Sequence, residues 1–348
     1  MRYPFSVNGF SVELLAYFDA QKRDLPWREN KDPYRILLSE VMLQQTRIET
    51  VKGYFARFLL TFPTIKDLAN ADEKDVLKLW EGLGYYSRAR HLLKGARYIQ
   101  DECKGVFPST KEELLKVPGI GEYTASAISS IAFKEKQVSL DGNLFRIYCR
   151  LNRKKEAFSS SAAKKEASSF FLDLMPKQRP GDFNEALMDV GETICLPNGA
   201  PLCERCPLSA ICAAFKNGDQ SEYPLPRSEK EKTRVSISVF IIRWNGLVVI
   251  RKRHDAGLLS GLFEFPNLPS KGKGVILPDS VKGKPNYIGH SVHTFSHLIW
   301  DMDWYGIECR EKPALNGALF VTEAELREKY ALPKAFTNFL RAKKLLGY

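Results

Sequence analysis

The chain has 348 residues, 52 Lys and Arg against 41 Asp and Glu, and a formal net charge of +11. That length suits two domains, and 44% hydrophobic with 27% charged residues describes a soluble globule, not a disordered or fibrous chain. No run approaches the roughly 18 apolar residues of a membrane span, residues 1–6 lack signal- or transit-peptide character, and the basic excess points to a polyanionic partner, most simply nucleic acid.

Up to about residue 215 the apolar spacing is helical. Asp32-Pro33 supplies a cap and a first-turn proline for a helix running through 34–45. Further helices are predicted at 11–21, 72–80, 86–101, 111–116, 122–132, 142–151, 162–174 and 182–193. A polar linker spans 216–231, and the charge run Glu229-Lys-Glu-Lys232 closes it. The period then shortens to two: strands are expected at 235–244 and 247–251, joined by an Asn245-Gly246 type I′ turn, and near 286–294 and 297–306. Helices follow near 323–329 and 334–345. The expected architecture is therefore multi-domain: an all-α domain over 1–215, the linker, and an α+β domain over 232–348.

Four motifs carry chemistry. Cys195, Cys203, Cys206 and Cys212 are separated by seven, two and five residues with no histidine among them. Four thiolates so spaced suit a [4Fe–4S] cluster or a Cys₄ zinc site; disulfides or inert thiols are the alternatives. The unpaired long first spacer favours the cluster. Val117-Pro-Gly-Ile-Gly121 is a tight turn between two helices, and its glycines, Gly119 and Gly121, would present bare N–H groups to a phosphate; an ordinary αα-hairpin is the plainer reading. Glu40 falls within the apolar stripe of its helix, where desolvation would raise its pKa and suit it to deliver a proton, unless it is a buried ion-pair partner. Asp141 sits at a loop-to-helix junction whose N–H donors would keep it ionised, or it is a plain N-cap. Two carboxyls with separated pKa values are what cleavage of a glycosidic bond needs.

In combination these features resemble the helix-hairpin-helix DNA glycosylases of the endonuclease III superfamily. The runs Ser39-Glu-Val-Met-Leu-Gln-Gln-Thr46, Gly82-Leu-Gly-Tyr-Tyr-Ser-Arg-Ala-Arg90, Leu140-Asp-Gly-Asn143 and Phe183-Asn-Glu-Ala-Leu-Met-Asp-Val-Gly191 narrow the resemblance to the MutY-type adenine glycosylases, over nearly the whole chain. The resemblance implies that Glu40 protonates adenine N7 and later activates water. It implies that Asp141 faces the sugar cation, with Tyr123 and Asn143 supporting both. A tyrosine at 123, where strand-cutting relatives carry a Schiff-base lysine, implies a monofunctional enzyme.

Because a paired base is unreachable, the adenine must be flipped out. The resemblance assigns Gln45 and Tyr85, with neighbouring Thr46 and Leu83, to the opened stack. Arg23, Leu25, Trp27, Arg28 and Glu185 are assigned to the adenine pocket; read without the resemblance, Leu25-Pro-Trp-Arg28 is a helix-ending loop with a buried tryptophan. The second domain is similar to the Nudix fold through Gly261-Leu-Phe-Glu-Phe-Pro266 but lacks the glutamate-rich hydrolase box, so it should bind and not hydrolyse. Phe295, Ser296 and His297 fall on the loop expected to probe 8-oxoguanine; His290 and His293 nearby are expected to be structural. The family's usual first cysteine gap is six residues, one fewer than here. The resemblance thus implies a [4Fe–4S] cofactor, duplex DNA carrying 8-oxoguanine:adenine or guanine:adenine mispairs as partner, no membrane, a monomer, and a cytoplasmic, nucleoid-associated, bacterial setting.

Overall fold

The computed structural model describes residues 7–226, 231–253, 257–270 and 275–348. The chain divides into two compact units, Met1–Asn70 with His91–Ser228, and Ala71–Arg90 with Glu229–Tyr348. In chain order the helices are α1 (Val7–Gln21), α2 (Pro33–Leu43), α3 (Ile48–Thr61), α4 (Ile65–Ala69), α5 (Glu73–Leu79), α6 (Ser87–Asp101), α7 (Lys111–Leu114), α8 (Glu122–Phe133), α9 (Gly142–Asn152), α10 (Ser161–Leu174), α11 (Pro180–Thr193), α12 (Ala213–Asn217), α13 (Glu323–Lys329) and α14 (Lys334–Lys343).

Local chemistry sets many of these ends. The Asp32 carboxylate accepts from the N–H groups of Tyr34 and Arg35, starting α2 behind Pro33. Thr64 with Asp67, Thr110 with Glu113 and Thr322 with Glu325 form reciprocal capping boxes at α4, α7 and α13. Helix α3 was not expected, because Thr50, Val51 and Tyr54 are weak helix formers and Gly53 lies mid-run. Val51, Phe55 and Phe58 are buried at helical spacing along it, so tertiary burial overrides propensity.

In the first unit α11 is central, packing against α1, α8 and α9. Its Phe183, Ala186, Leu187 and Val190 are buried with Phe10, Phe145, Phe170 and Phe171, each large side chain contributing about 1.5–3 kcal/mol. Two glycines permit this closeness. A Cβ on Gly181 would stand 2.6 Å from Ile131 Cα of α8, and one on Gly191 2.7 Å from Asn143 Cβ of α9. The expected linker over 216–231 begins within this unit. Residue 217 ends α12, the Tyr223 ring is buried, and the Arg150 guanidinium donates to the carbonyls of Gln220 and Tyr223. Residues 227–230, including the start of the charge run, lie outside the described residues.

The second unit is built on a mixed sheet of β1 (Thr233–Trp244), β2 (Leu247–Lys252), β3 (Phe263–Glu264), β4 (Asn267–Pro269), β5 (Asn286–Thr294), β6 (Leu298–Glu308) and β7 (Ala318–Val321). The order is β3-β2-β1-β6-β5, with β4 also on β1 and β7 also on β2; β1 and β6 run parallel and β5 is antiparallel to β6. Asn245 and Gly246 both have positive φ, as a type I′ turn requires. Strands β3, β4 and β7 were missed because two to four residues carry no readable alternation. One sheet face lays Trp300, Met302 and Trp304 against Phe336 and Phe339 of α14, with Trp304 and Phe339 stacked at 4.2 Å; the other buries Phe240, Ile242, Val249 and Ile307. Segment 71–90 also packs here, α5 against α13.

Candidate active site

Glu40 lies on the buried face of α2, 8% exposed. Burial pushes its carboxyl up to about 7 from an ordinary 4.5. A hydrogen bond from the Tyr123 hydroxyl opposes that rise, the negative charges of Glu185 and Asp141 add to it, and Arg28 pulls it down. Tyr123 stands in the first turn of α8, where desolvation and the charges of Glu40 and Asp141 hold its phenol far above its usual range. It therefore remains a hydroxyl, and its oxygen lies 3.9 Å from Met188 Sδ.

Asp141 caps α9, its carboxylate accepting from Leu144 N at 2.8 Å and from the Asn143 side-chain amide at 2.9 Å. The donors expected from sequence are present and lower the pKa, as donors to a carboxylate do. Burial raises the Asp141 pKa and outweighs the N–H groups and Arg146 that lower it. Asn143 is fixed on three sides: its amide nitrogen also reaches Glu192 Oε1 at 2.7 Å, and its oxygen accepts from Arg146 at 2.9 Å.

A second cluster adjoins the first. Arg28 follows Trp27 in a 3₁₀ turn, Pro26–Arg28, and binds Glu185 at 2.7 Å and Asp189 at 2.8 Å. Arg23 donates to the same Asp189 at 2.6 Å. Leu25 and Trp27 are buried, with Trp27 edge-on to Phe55. The sequence reading missed Asp189, a fully buried carboxylate that holds both arginines, although it sits one helical turn beyond Glu185. It also missed Asn184, whose amide ties Ser139 N, Ser130 Oγ and Gln137 O and so fixes the strand of chain leading to Asp141.

The turn before α8 uses its two glycines differently. Gly119 has φ +85° and a Cβ there would lie 2.6 Å from His91 Cβ, so glycine is required twice over. Gly121 is extended at φ −97°, a conformation any residue adopts, and faces open space. Its lack of a side chain serves only to leave the α8 N-terminus bare. Gln45, just past α2, is exposed and left-handed at φ 56°; Thr46 beside it donates to Leu43 O.

Tyr85 belongs to the other unit. It too is left-handed, at φ 49°, and 47% exposed, whereas Leu83 beside it is buried. The Arg88 guanidinium lies over the rings of Tyr85 and Trp80. In that unit Phe295, Ser296 and His297 form the tip between β5 and β6. Phe295 is half-buried, its ring against His293 at 4.6 Å and Trp300 at 5.0 Å; Ser296 and His297 are exposed. His290 bridges Asp301 and Asp303, and His293 packs on Phe295.

Cys195, Cys203, Cys206 and Cys212 are free thiols gathered beside α9 and α12. The thiols of Cys206 and Cys212 are held up by burial and by the neighbouring cysteines. Arg150 donates to Cys195 Sγ at 3.2 Å and Gln220 to Cys203 Sγ at 3.6 Å. Among the described residues no three His, Cys, Asp or Glu side chains are grouped to hold a single metal ion. The seven-residue first spacer is absorbed in a loop closed by the Leu202 N–H on Ile194 O.

Residues 38–171 match the HhH-GPD superfamily base excision DNA repair protein family, and residues 238–342 match the NUDIX domain family. The chain is 32% identical to human adenine DNA glycosylase over 92% of its own length and 71% of the relative's. It is 34% identical to the adenine DNA glycosylase of Buchnera aphidicola from Acyrthosiphon pisum, over 83% of this chain and 84% of that one. The chain belongs to the adenine DNA glycosylase family. Membership makes it a base-excision DNA-repair glycosylase that acts on adenine. Among solved structures, a thermostable thymine-DNA glycosylase is 28% identical with a TM-score of 0.55, over 61% of this chain and 97% of that one. A trapped endonuclease III–DNA covalent intermediate matches at TM-score 0.52 and 22% identity, over 62% and 99%, a likeness of fold. No helix among the described residues is long and apolar enough to cross a membrane.

Proposed function

We propose that the enzyme releases adenine opposite 8-oxoguanine or guanine in duplex DNA, by hydrolysis without strand cleavage, working as a monomer. The observation that carries this reading is the Glu40 carboxyl, raised to about 7 and hydrogen-bonded to Tyr123 within reach of the Asp141 charge. A proton-bearing Glu40 protonates adenine N7, and the glycosidic electron pair leaves with the base. Asp141 faces the resulting sugar cation, oriented by Asn143. Glu40, now a carboxylate, takes a proton from the attacking water, giving an abasic site. Tyr123 offers no amine, so no Schiff base forms.

The remaining roles follow the family resemblance. Arg28 and Glu185, with Arg23, Leu25 and Trp27, hold the flipped adenine. Gln45, Thr46, Leu83 and Tyr85 occupy or border the opened stack, an assignment to which the left-handed backbone of Gln45 and Tyr85 adds weight. The N–H groups after Gly119 and Gly121 take a phosphate. Phe295, Ser296 and His297 meet the 8-oxoguanine in a Nudix-like domain over 232–348 that binds and does not hydrolyse. Cys195, Cys203, Cys206 and Cys212 hold a [4Fe–4S] cluster. Four free thiols in one short segment, with N–H donors aimed at Cys195 and Cys203, support thiolate ligation of such a cluster.

Duplexes carrying adenine opposite 8-oxoguanine, guanine or thymine, scored for alkali-dependent scission, test the substrate. Scission before alkali, or an adduct trapped by borohydride, overturns the monofunctional reading. Purified protein containing zinc and no iron overturns the cluster.

A further inference from the structure

Within the second unit, one residue of the turn between α13 and α14 grips the loop that carries Tyr85. The N–H of Leu332 donates to the Glu81 carboxylate at 2.8 Å, and its C=O accepts from the Tyr86 hydroxyl at 3.4 Å. That hydroxyl also accepts from Gly82 N at 3.1 Å. Lys78 adds a strap, donating to Glu81 at 2.6 Å and to Tyr330 O at 3.1 Å. Inside the loop, Trp80 Nε1 and Arg88 both donate to Gly84 O, at 3.1 and 3.0 Å. Tyr85 is thus the exposed, left-handed member of a loop whose neighbours are nearly all tied down.

Leu332 is itself immobilised. Its side chain is fully buried in the cluster that contains Trp300 and Phe336, and Ala331 O accepts from Phe263 N at 3.0 Å. Trp300 meets Phe295 at 5.0 Å and stacks on Phe336 at 6.0 Å. Covalent and packing links therefore run within a single compact unit from the β5–β6 tip to the Tyr85 loop. We propose that Glu81 and Tyr86 are positioning residues that clip the Tyr85 wedge to Leu332, so that the wedge is set by the unit that reads the opposite base. This rests on the reading that Tyr85 enters the opened stack.

Full-length variants are compared on a duplex with 2-aminopurine beside the 8-oxoguanine:adenine pair, following the fluorescence rise on binding and the single-turnover rate of base release. Glu81→Ala should reduce both, by about tenfold in rate, the loss expected for one charge-assisted hydrogen bond. Glu81→Gln, which keeps an oxygen for the Leu332 N–H, should restore most of the loss. Tyr86→Phe removes only a hydroxyl and should weaken both signals in the same direction, and it carries the test if Glu81→Ala folds poorly. In a Tyr85→Ser background, Glu81→Ala should cost nothing further, because the wedge through which it acts is gone. Multiplicative losses in the double variant, or no effect from Glu81→Ala and Tyr86→Phe while Tyr85→Ser is impaired, overturn the clip alone. An unimpaired Tyr85→Ser overturns the wedge reading beneath it.

Discussion

The carboxyl cluster of the helical unit and the β5–β6 tip of the sheet unit put polar side chains in opposite surroundings. Glu40, Tyr123 and Asp141 are shifted by burial and by one another before any substrate arrives. The exposed side chains of Ser296 and His297 meet each other at 3.2 Å. A buried group is tuned by the fold, so its chemistry is set in advance; an exposed group acquires strength only when a partner excludes water from it. Substitutions in the first region should therefore alter rate and stability together, and those in the second only recognition.

The sharpest test of that contrast is Glu40→Gln. Base release in single-turnover assays should fall by about 10²–10⁴-fold, with mispair binding retained; substantial residual turnover removes Glu40 from the acid role. Release by the unsubstituted enzyme should also decline as pH rises through about 7, where Glu40 loses its proton. The same shift acts on stability. The folded chain holds this proton more tightly than the unfolded one, so stability falls between about 4.5 and 7 and stays lower above. Glu40→Gln escapes that loss, on the order of 3 kcal/mol, and should unfold at higher denaturant than the parent at pH 8 but not at pH 4.

Next in size is Asp189→Asn. Removing the shared partner of Arg23 and Arg28 should cost about 2–3 kcal/mol in denaturant unfolding, below the cost for a fully buried pair because Arg23 is a quarter exposed. A change within error would mean that the arginines re-pair with Glu185 alone. Gly119→Ala should cost about 1–3 kcal/mol, since the residue is both left-handed and wedged against His91; Gly121→Ala should stay within about 0.5 kcal/mol and weaken DNA binding instead. Smallest is Ser296→Ala: about three- to tenfold less preference for 8-oxoguanine over guanine, with an unchanged melting profile. An effect on stability larger than that on discrimination would erase the distinction between the two regions.

Legibility followed the range of the forces involved. The Asp32-Pro33 start, the bounds of α13 and the Asn245-Gly246 turn were readable because caps and turns are settled by residues a few positions apart. Glu40 was readable as a buried acid because helical spacing alone places it among apolar residues. At Asp141 the donors were local and visible, whereas the burial that outweighs them was not. Helix α3, the Asp189 pairs and the packing of α5 against α13 were invisible for the same reason.

From the sequence alone came the order of motifs and the change from helical to strand period, which nearest neighbours dictate, and the candidate carboxyl pair, whose roles the family resemblance implies. Only the folded chain decided that burial outweighs the donors at Asp141 and what anchors the arginines. Desolvation and long-range pairing depend on what fills the space around a group, and that is fixed only once the helices and sheet have packed.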